Sequence, residues 1–232
     1  MKKINTILAA VSALLMLTVT GANSVEFKTG VTVNGMAAYA NAKETLKDGG
    51  NRITNEEAVL ATSFGSVFAE ISSDELKGLG LGVSYAPDVV EMDKETRLIQ
   101  NASGDSNNDS GTQSVDAKIN DFVSVYLTLP VGGDGAYVKA GYIQATMITN
   151  ESLATGSKYE DVDLTGTQIG GGYEGSLGDT AFWRAEGTYQ MWEDLSASGS
   201  EGGRVASSSL QKNKITAEVG SITGTLSVGM KF

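Results

Sequence analysis

From Val25 onward, apolar residues recur at every second position in short runs, and the runs are parted by stretches rich in Gly, Ser, Asn and Asp. A period of two marks strands that present different faces to different surroundings, and no long stretch carries the three-to-four spacing of a helix. The pattern predicts eight strands: Val25 to about Ala40, Ala58 to Ile71, Leu79 to Ala86, Asn120 to Leu129, Ala136 to Ile148, Val162 to Tyr173, Ala181 to Trp192, and from near Leu210 to Phe232. The third alternates most cleanly, with Leu79, Leu81, Val83 and Tyr85 on one face and Gly80, Gly82, Ser84 and Ala86 on the other.

The gaps between these strands run long, short, long, short, long, short, long, at 41–57, 72–78, 87–119, 130–135, 149–161, 174–180 and 193–209. Short turns at one end and longer loops at the other are the habit of transmembrane β-barrels with an even number of antiparallel strands. Turn chemistry agrees: Pro130-Val131-Gly132-Gly133-Asp134-Gly135 and the Gly175-to-Asp179 segment supply positive φ and self-bonding carboxylates. The expected fold is all-β, a transmembrane antiparallel up-and-down barrel of eight strands over 25–232. Ten strands is the alternative, because Ile215, Ala217 and Val219 have the opposite parity to Ile222 onward. A bulge near Gly220 or an extra hairpin would reconcile them.

A soluble β-sandwich alternates too, and the last strand separates the two. Ile222, Gly224, Leu226, Val228, Met230 and Phe232 share one face; Thr223, Thr225, Ser227, Gly229 and Lys231 share the other. That length matches the roughly 9–11 residues with which a tilted strand crosses the hydrocarbon. The ending resembles the C-terminal signal read by the outer-membrane assembly machinery, carried by Leu226, Val228, Met230 and the terminal Phe232. Ser227 departs from its strictest form, which has glycine there. In pattern the whole mature chain resembles the small opacity-protein-like and OmpA-membrane-domain-like eight-stranded outer-membrane barrels. The resemblance implies outer-membrane lipid and lipopolysaccharide as surroundings, the barrel assembly machinery as a partner in biogenesis, a monomer, and both termini in the periplasm.

A narrow barrel fills its centre with side chains, and buried charges need partners. The polar parity of the strands predicts an interior network of Lys28, Glu70, Lys139, Arg184, Glu186 and Lys231. Phe64 and Phe68 share a face with Glu70, so either two rings point inward or the second strand is bulged. Phe27, Tyr39, Phe122, Tyr137, Phe182 and Trp192 stand at strand ends, where they could form interfacial girdles; ordinary packing is the competing reading for some of them.

The first residues add an address. Lys2 and Lys3, the apolar stretch Ile7–Val19 and the small residues Ala22-Asn23-Ser24 predict a cleaved signal peptide over 1–24, too short in its apolar part for a spanning helix. The chain carries 17 basic and 28 acidic residues, a net charge of −11, and removal of the two leader lysines makes it more negative. That balance opposes nucleic-acid binding. There is no cysteine, hence no disulfide or thiolate site, and no histidine, the commonest general base at neutral pH. Ser-His-Asp hydrolysis is thereby excluded, and the outer-membrane hydrolases that the resemblance brings to mind rely on a histidine, so a non-enzyme is expected.

One acidic segment could hold a cofactor. Asp105, Asn107 and Asp109 at alternate positions, with Asp116 further on, are spaced like the oxygen ligands of a calcium loop. The glycine falls one place late, the final ligand is Asp, and no helices flank it; a plain solvated loop is the competing reading. No other cofactor is expected. Gly170-Gly171-Gly172 lacks the Gly-Lys-Ser/Thr of a phosphate loop. The functional expectation is a structural or surface-interaction barrel whose long acidic loops face an unidentified extracellular ligand. A porin-like channel for small solutes or ions, and a soluble secreted β-sandwich adhesin, are its rivals.

Overall fold

The computed structural model describes residues 25–47, 51–91, 95–99, 111–152, 161–198 and 214–232. The expected leader over 1–24 and the calcium-loop residues Asp105, Asn107 and Asp109 lie outside the described residues. The strands are β1 Val25–Lys47, β2 Asn51–Ser73, β3 Leu79–Glu91, β4 Glu95–Ile99, β5 Gly111–Pro130, β6 Ala136–Ser152, β7 Val162–Leu177, β8 Ala181–Trp192, β9 Leu195–Ser198 and β10 Lys214–Lys231. Each long strand pairs antiparallel with its neighbours, and β1 pairs with both β2 and β10. The sheet is therefore closed, and no soluble sandwich fits it.

Ten segments make eight staves. β4 continues along β5 where β3 stops, and β9 continues along β10 where β8 stops, each after a slip of register. Following Cα partners round the wall from Thr29 leads through Ala69, Val83, Val125, Tyr142, Thr167, Met191 and Gly220 back to β1 at Tyr39. The return point lies ten residues further along, which is the shear of the barrel. Eight strands with that shear tilt by roughly 40° to the axis. Each residue then climbs about 2.5 Å, so the stretch from Ile222 to Phe232 spans the roughly 25 Å apolar band of an outer-membrane barrel.

The polarity is inverted relative to a soluble protein. Outward residues are apolar and bare, among them Val33 at 67% exposure and Leu226 at 66%, whereas Thr32, Asn34, Glu70, Arg184 and Gln190 are buried inside. Such a contiguous apolar exterior cannot persist in water; it is the surface of a protein solvated by lipid.

Several strands outrun their predicted ends. β1 and β2 continue as a paired hairpin to Lys47 and Asn51, and β5 starts at Gly111. Beyond the membrane neither face meets lipid, so the alternation that betrays a strand fades while the backbone ladder continues. A bulge near Gly220, one of the two ways of reconciling the parity, is absent: β10 pairs with β1 without a slip from Lys231 to Lys214. Its inward face simply changes from polar to apolar beyond Ser221. The irregularities lie elsewhere, where β5 slips against β6 between Asn120 and Val123 and Asp121 adopts φ 54°. β2 has no bulge against β1, so Phe64 and Phe68 both point inward.

Candidate functional site: the barrel lumen

The lumen is built in three layers, each from residues of one parity. Nearest the chain termini is a charged layer. Arg184 on β8 donates from Nη1 and Nη2 to the two carboxylate oxygens of Glu70 on β2, at 2.8 and 2.7 Å, across the lumen. Its Nε donates to Glu174 on β7 at 2.7 Å. Glu174 also accepts from Lys28 on β1 at 2.8 Å, and Lys28 meets Glu26 at 3.0 Å. Just above, Lys139 on β6 pairs with Glu186 at 3.0 Å and lies over the Tyr126 ring, 4.0 Å from its centroid. The Arg184 guanidinium is flanked by Phe68, Tyr137 and Phe182, whose ring centroids lie 5.1–5.4 Å away. Three cations and three carboxylates thus offset one another in a space walled by rings, where an unpaired charge would be costly, and the fourth carboxylate, Glu26, is the exposed one.

The middle layer is neutral and polar. Asn34 donates to Thr32 and Ser66, whose hydroxyls also bond each other, and accepts from Thr225 at 2.8 Å. Gln168 donates to Ser124 at 2.5 Å, and Gln190 accepts from Ser221 at 2.6 Å and Thr223 at 3.2 Å. These groups surround a cavity of only about 40 Å³, room for a few waters and no wider passage.

The upper layer, toward the long loops, is apolar. Met36, Phe64, Ala86, Phe122, Ile143 and Leu164 pack together there, with Leu195, Ala197 and Ala217 above. Phe64, Phe122 and Trp192 form a run of rings with centroids 6.1 and 6.0 Å apart, and the Trp192 indole N–H reaches down to Ser221 at 3.1 Å. Ile215, Ala217 and Val219 have the inward parity of this stratum, which explains why their pattern disagreed with the lipid-facing half of the same strand.

The structure brings five of the six residues of the expected network together: Lys28, Glu70, Lys139, Arg184 and Glu186. Lys231 does not join it. It sits opposite Lys28 in the register, at the mouth, and has no ion pair among the described residues. Lys28 takes the nearest carboxylates, and Lys231 is the last residue of β10. Glu174, which bridges Lys28 and Arg184, was missed because it lies one place past the predicted end of its strand. Its parity with Gln168, Gly170 and Gly172, and its place opposite Arg184 across a tight turn, were the available signals.

The girdle expectation is corrected for four aromatics. Phe122, Tyr137 and Phe182 are buried in the lumen and Trp192 packs on the apolar layer; even positions of β8 and β5 and odd positions of β6 face inward, so their place near strand ends does not matter. Phe27 and Tyr39 do face out. With them, the outer surface carries Phe232 against Phe27 and Trp183 against Tyr173 at the terminal end, and a Tyr39–Tyr189 hydroxyl pair at 3.0 Å further up. Leu226, Val228, Met230 and Phe232 all point outward, and the last residue is stitched to Phe27 by two backbone hydrogen bonds of 2.9 and 3.1 Å. Of the calcium residues only Asp116 is described, as a β5 position opposite Asn150. Among the described residues there is no cluster of metal-ligating side chains.

No protein-family model and no curated protein matches the sequence. Among solved structures, the outer membrane protein OprG from Pseudomonas aeruginosa is similar over 91% of this chain and 98% of its own, with 16% identity and a TM-score of 0.50. Neisserial surface protein A aligns over 87% of this chain and 97% of its own at 13% identity and a TM-score of 0.40. The outer membrane protease OmpT from Escherichia coli aligns over 89% and 97%, at 9% identity and a TM-score of 0.42. The first of these shares the fold, that of a small outer-membrane barrel; the other two are too distant to add to it.

Proposed function

We propose that this protein is an outer-membrane barrel with a sealed lumen, which serves as an envelope structural element and as a rigid stand for surface loops. The observation that carries this reading is the combination of an apolar exterior with an interior closed by three different layers. Water or a small ion entering from the terminal end meets the Glu70–Arg184–Glu174–Lys28 lattice, then a cavity of about 40 Å³, then a stratum of packed rings. No diffusion route follows from such an arrangement, and no catalytic one is proposed.

The long loops would face outward and both termini the periplasm, with a monomer embedded among outer-membrane lipid and lipopolysaccharide after insertion by the barrel assembly machinery. Recognition of an extracellular ligand would then belong to the loops, which are the part free to vary on a rigid scaffold. Outer-membrane fractionation with heat-modifiable migration on gels tests the location, and planar-bilayer recording tests the seal. The protein is expected in the outer-membrane fraction and electrically silent. Steady ion-selective conductance by the unmodified protein would favour the porin-like reading instead.

A further inference from the structure

At the terminal end the charged layer does not reach the rim. Between it and the short turns lies a vestibule of about 460 Å³, bordered by Gly132, Gly133 and Gly135 of the turn between β5 and β6. Its volume falls in the roughly 300–1,000 Å³ range of small-molecule sites. Its walls differ from its floor. The floor consists of Lys28, Glu174, Arg184 and Glu70, all already paired with one another. The walls carry the hydroxyls of Ser72, Thr128 and Ser176, none of which has a hydrogen-bond partner among the described residues. Thr128 is itself more than nine-tenths buried.

We propose that this vestibule binds a small uncharged polyhydroxylated molecule, a neutral mono- or disaccharide in chemical class. A charged ligand reaching the floor would have to displace one member of a closed ion-pair lattice and leave the other unpaired, which is costly; the other charged group of the lining, Asp134, lies in the exposed turn between β5 and β6. A neutral polyol makes no such demand. Its hydroxyls can both donate and accept, which matches walls made of hydroxyls and a floor whose carboxylates keep spare lone pairs. The inference rests on the lumen being sealed above the floor and is independent of what the loops recognise.

The test uses the full protein in micelles of an amine-oxide detergent, which carries no sugar headgroup. Saturation-transfer NMR is read for maltose and cellobiose, with glucose 6-phosphate and glucosamine as charged comparators. Transfer to the neutral disaccharides is expected, and it should be lost in Gly133→Trp, because Gly133 borders the vestibule and a Cβ there meets no protein atom within 4 Å, which leaves a large side chain room to occupy that space. The pair Thr128→Val with Ser72→Ala should weaken it while preserving shape. Heat-modifiable migration verifies that each variant is folded; should Gly133→Trp fail that check, the hydroxyl pair decides alone. Absence of transfer, transfer undiminished in the variants, or stronger transfer to the charged sugars would each overturn the proposal, leaving a water-filled mouth in the first case.

Discussion

Arg184 uses three of its N–H groups on two carboxylates, and Glu70, which receives two of them, is 2% exposed. Truncating one partner of such a pair strands the other charge, whereas removing both can be nearly neutral. Arg184→Ala is therefore expected to lower the stability of the folded barrel by about 3–5 kcal/mol. The Arg184→Met, Glu70→Leu double variant should recover most of that loss, read as the midpoint of urea unfolding from micelles or vesicles. Equal losses in the single and double variants would mean that the pair's geometry, and not its charge, holds the layer together. A second residue-scale contact lies outside. A Cβ on Gly220 would come within 2.3 Å of the Tyr39 hydroxyl, so the ring lies on the glycine and its hydroxyl meets Tyr189. Gly220→Ala must push that ring off and break the pair. A cost of about 1 kcal/mol is expected, and it should vanish when Tyr39 is already alanine. Some of this was readable in advance and some was not. Arg184 and Glu186 announce an inward face by alternating with Trp183 and Ala185. Glu174 has no such context, because its outward neighbours Tyr173 and Gly175 differ little from a turn sequence.

β10 shows how one strand can carry two patterns without changing course. From Ile222 to Phe232 its outward side is apolar against lipid and its inward side polar; beyond Ser221 the inward side becomes apolar, beside Trp192 and Leu195 of the adjoining β8 and β9. Periodicity reports the contrast between two faces and not which face is inside, so a change of lumen chemistry looks like a change of parity. The same limit sent Phe122, Tyr137 and Phe182 to an expected girdle although they are lumen residues. What could be read was every place where lipid stood on one side and hydroxyls or charges on the other, as in β1, β3 and the terminal half of β10. A test of the unbroken register follows. Val219→Lys places a charge in the apolar stratum, where the described residues offer no carboxylate partner, and is expected to cost at least about 3 kcal/mol, whereas Glu218→Ala on the exposed side should stay within about 0.5 kcal/mol. A bulge at Gly220 would reverse the order of the two. Leu226→Lys, on the lipid side of the same strand, should cost about 2–4 kcal/mol near the bilayer midplane.

At the scale of the whole molecule, closure and shear decide what the interior can be. Eight staves with a shear of ten leave a bore that side chains fill, and this sequence fills it with salt bridges, then hydroxyls and amides, then rings. Each layer seals by a different kind of cohesion, so no single substitution is expected to open a path from end to end. Alternating gap lengths made the up-and-down order readable, because a hairpin turn and a solvated loop differ so much in length. The extension of the hairpins past the membrane was not readable, since extended backbone in water leaves no contrast between faces. The orientation of the barrel is the remaining global property, and the chain invites a direct measurement because it has no cysteine of its own. Asp179 lies in a short turn at the terminal end and Ser196 on an exposed position of β9 at the other. With termini in the periplasm, a membrane-impermeant maleimide added to intact cells should label Ser196→Cys at once and Asp179→Cys only after the outer membrane is permeabilised. The opposite order would invert the barrel, place the vestibule at the cell surface and move the recognition role from the long loops to the short turns.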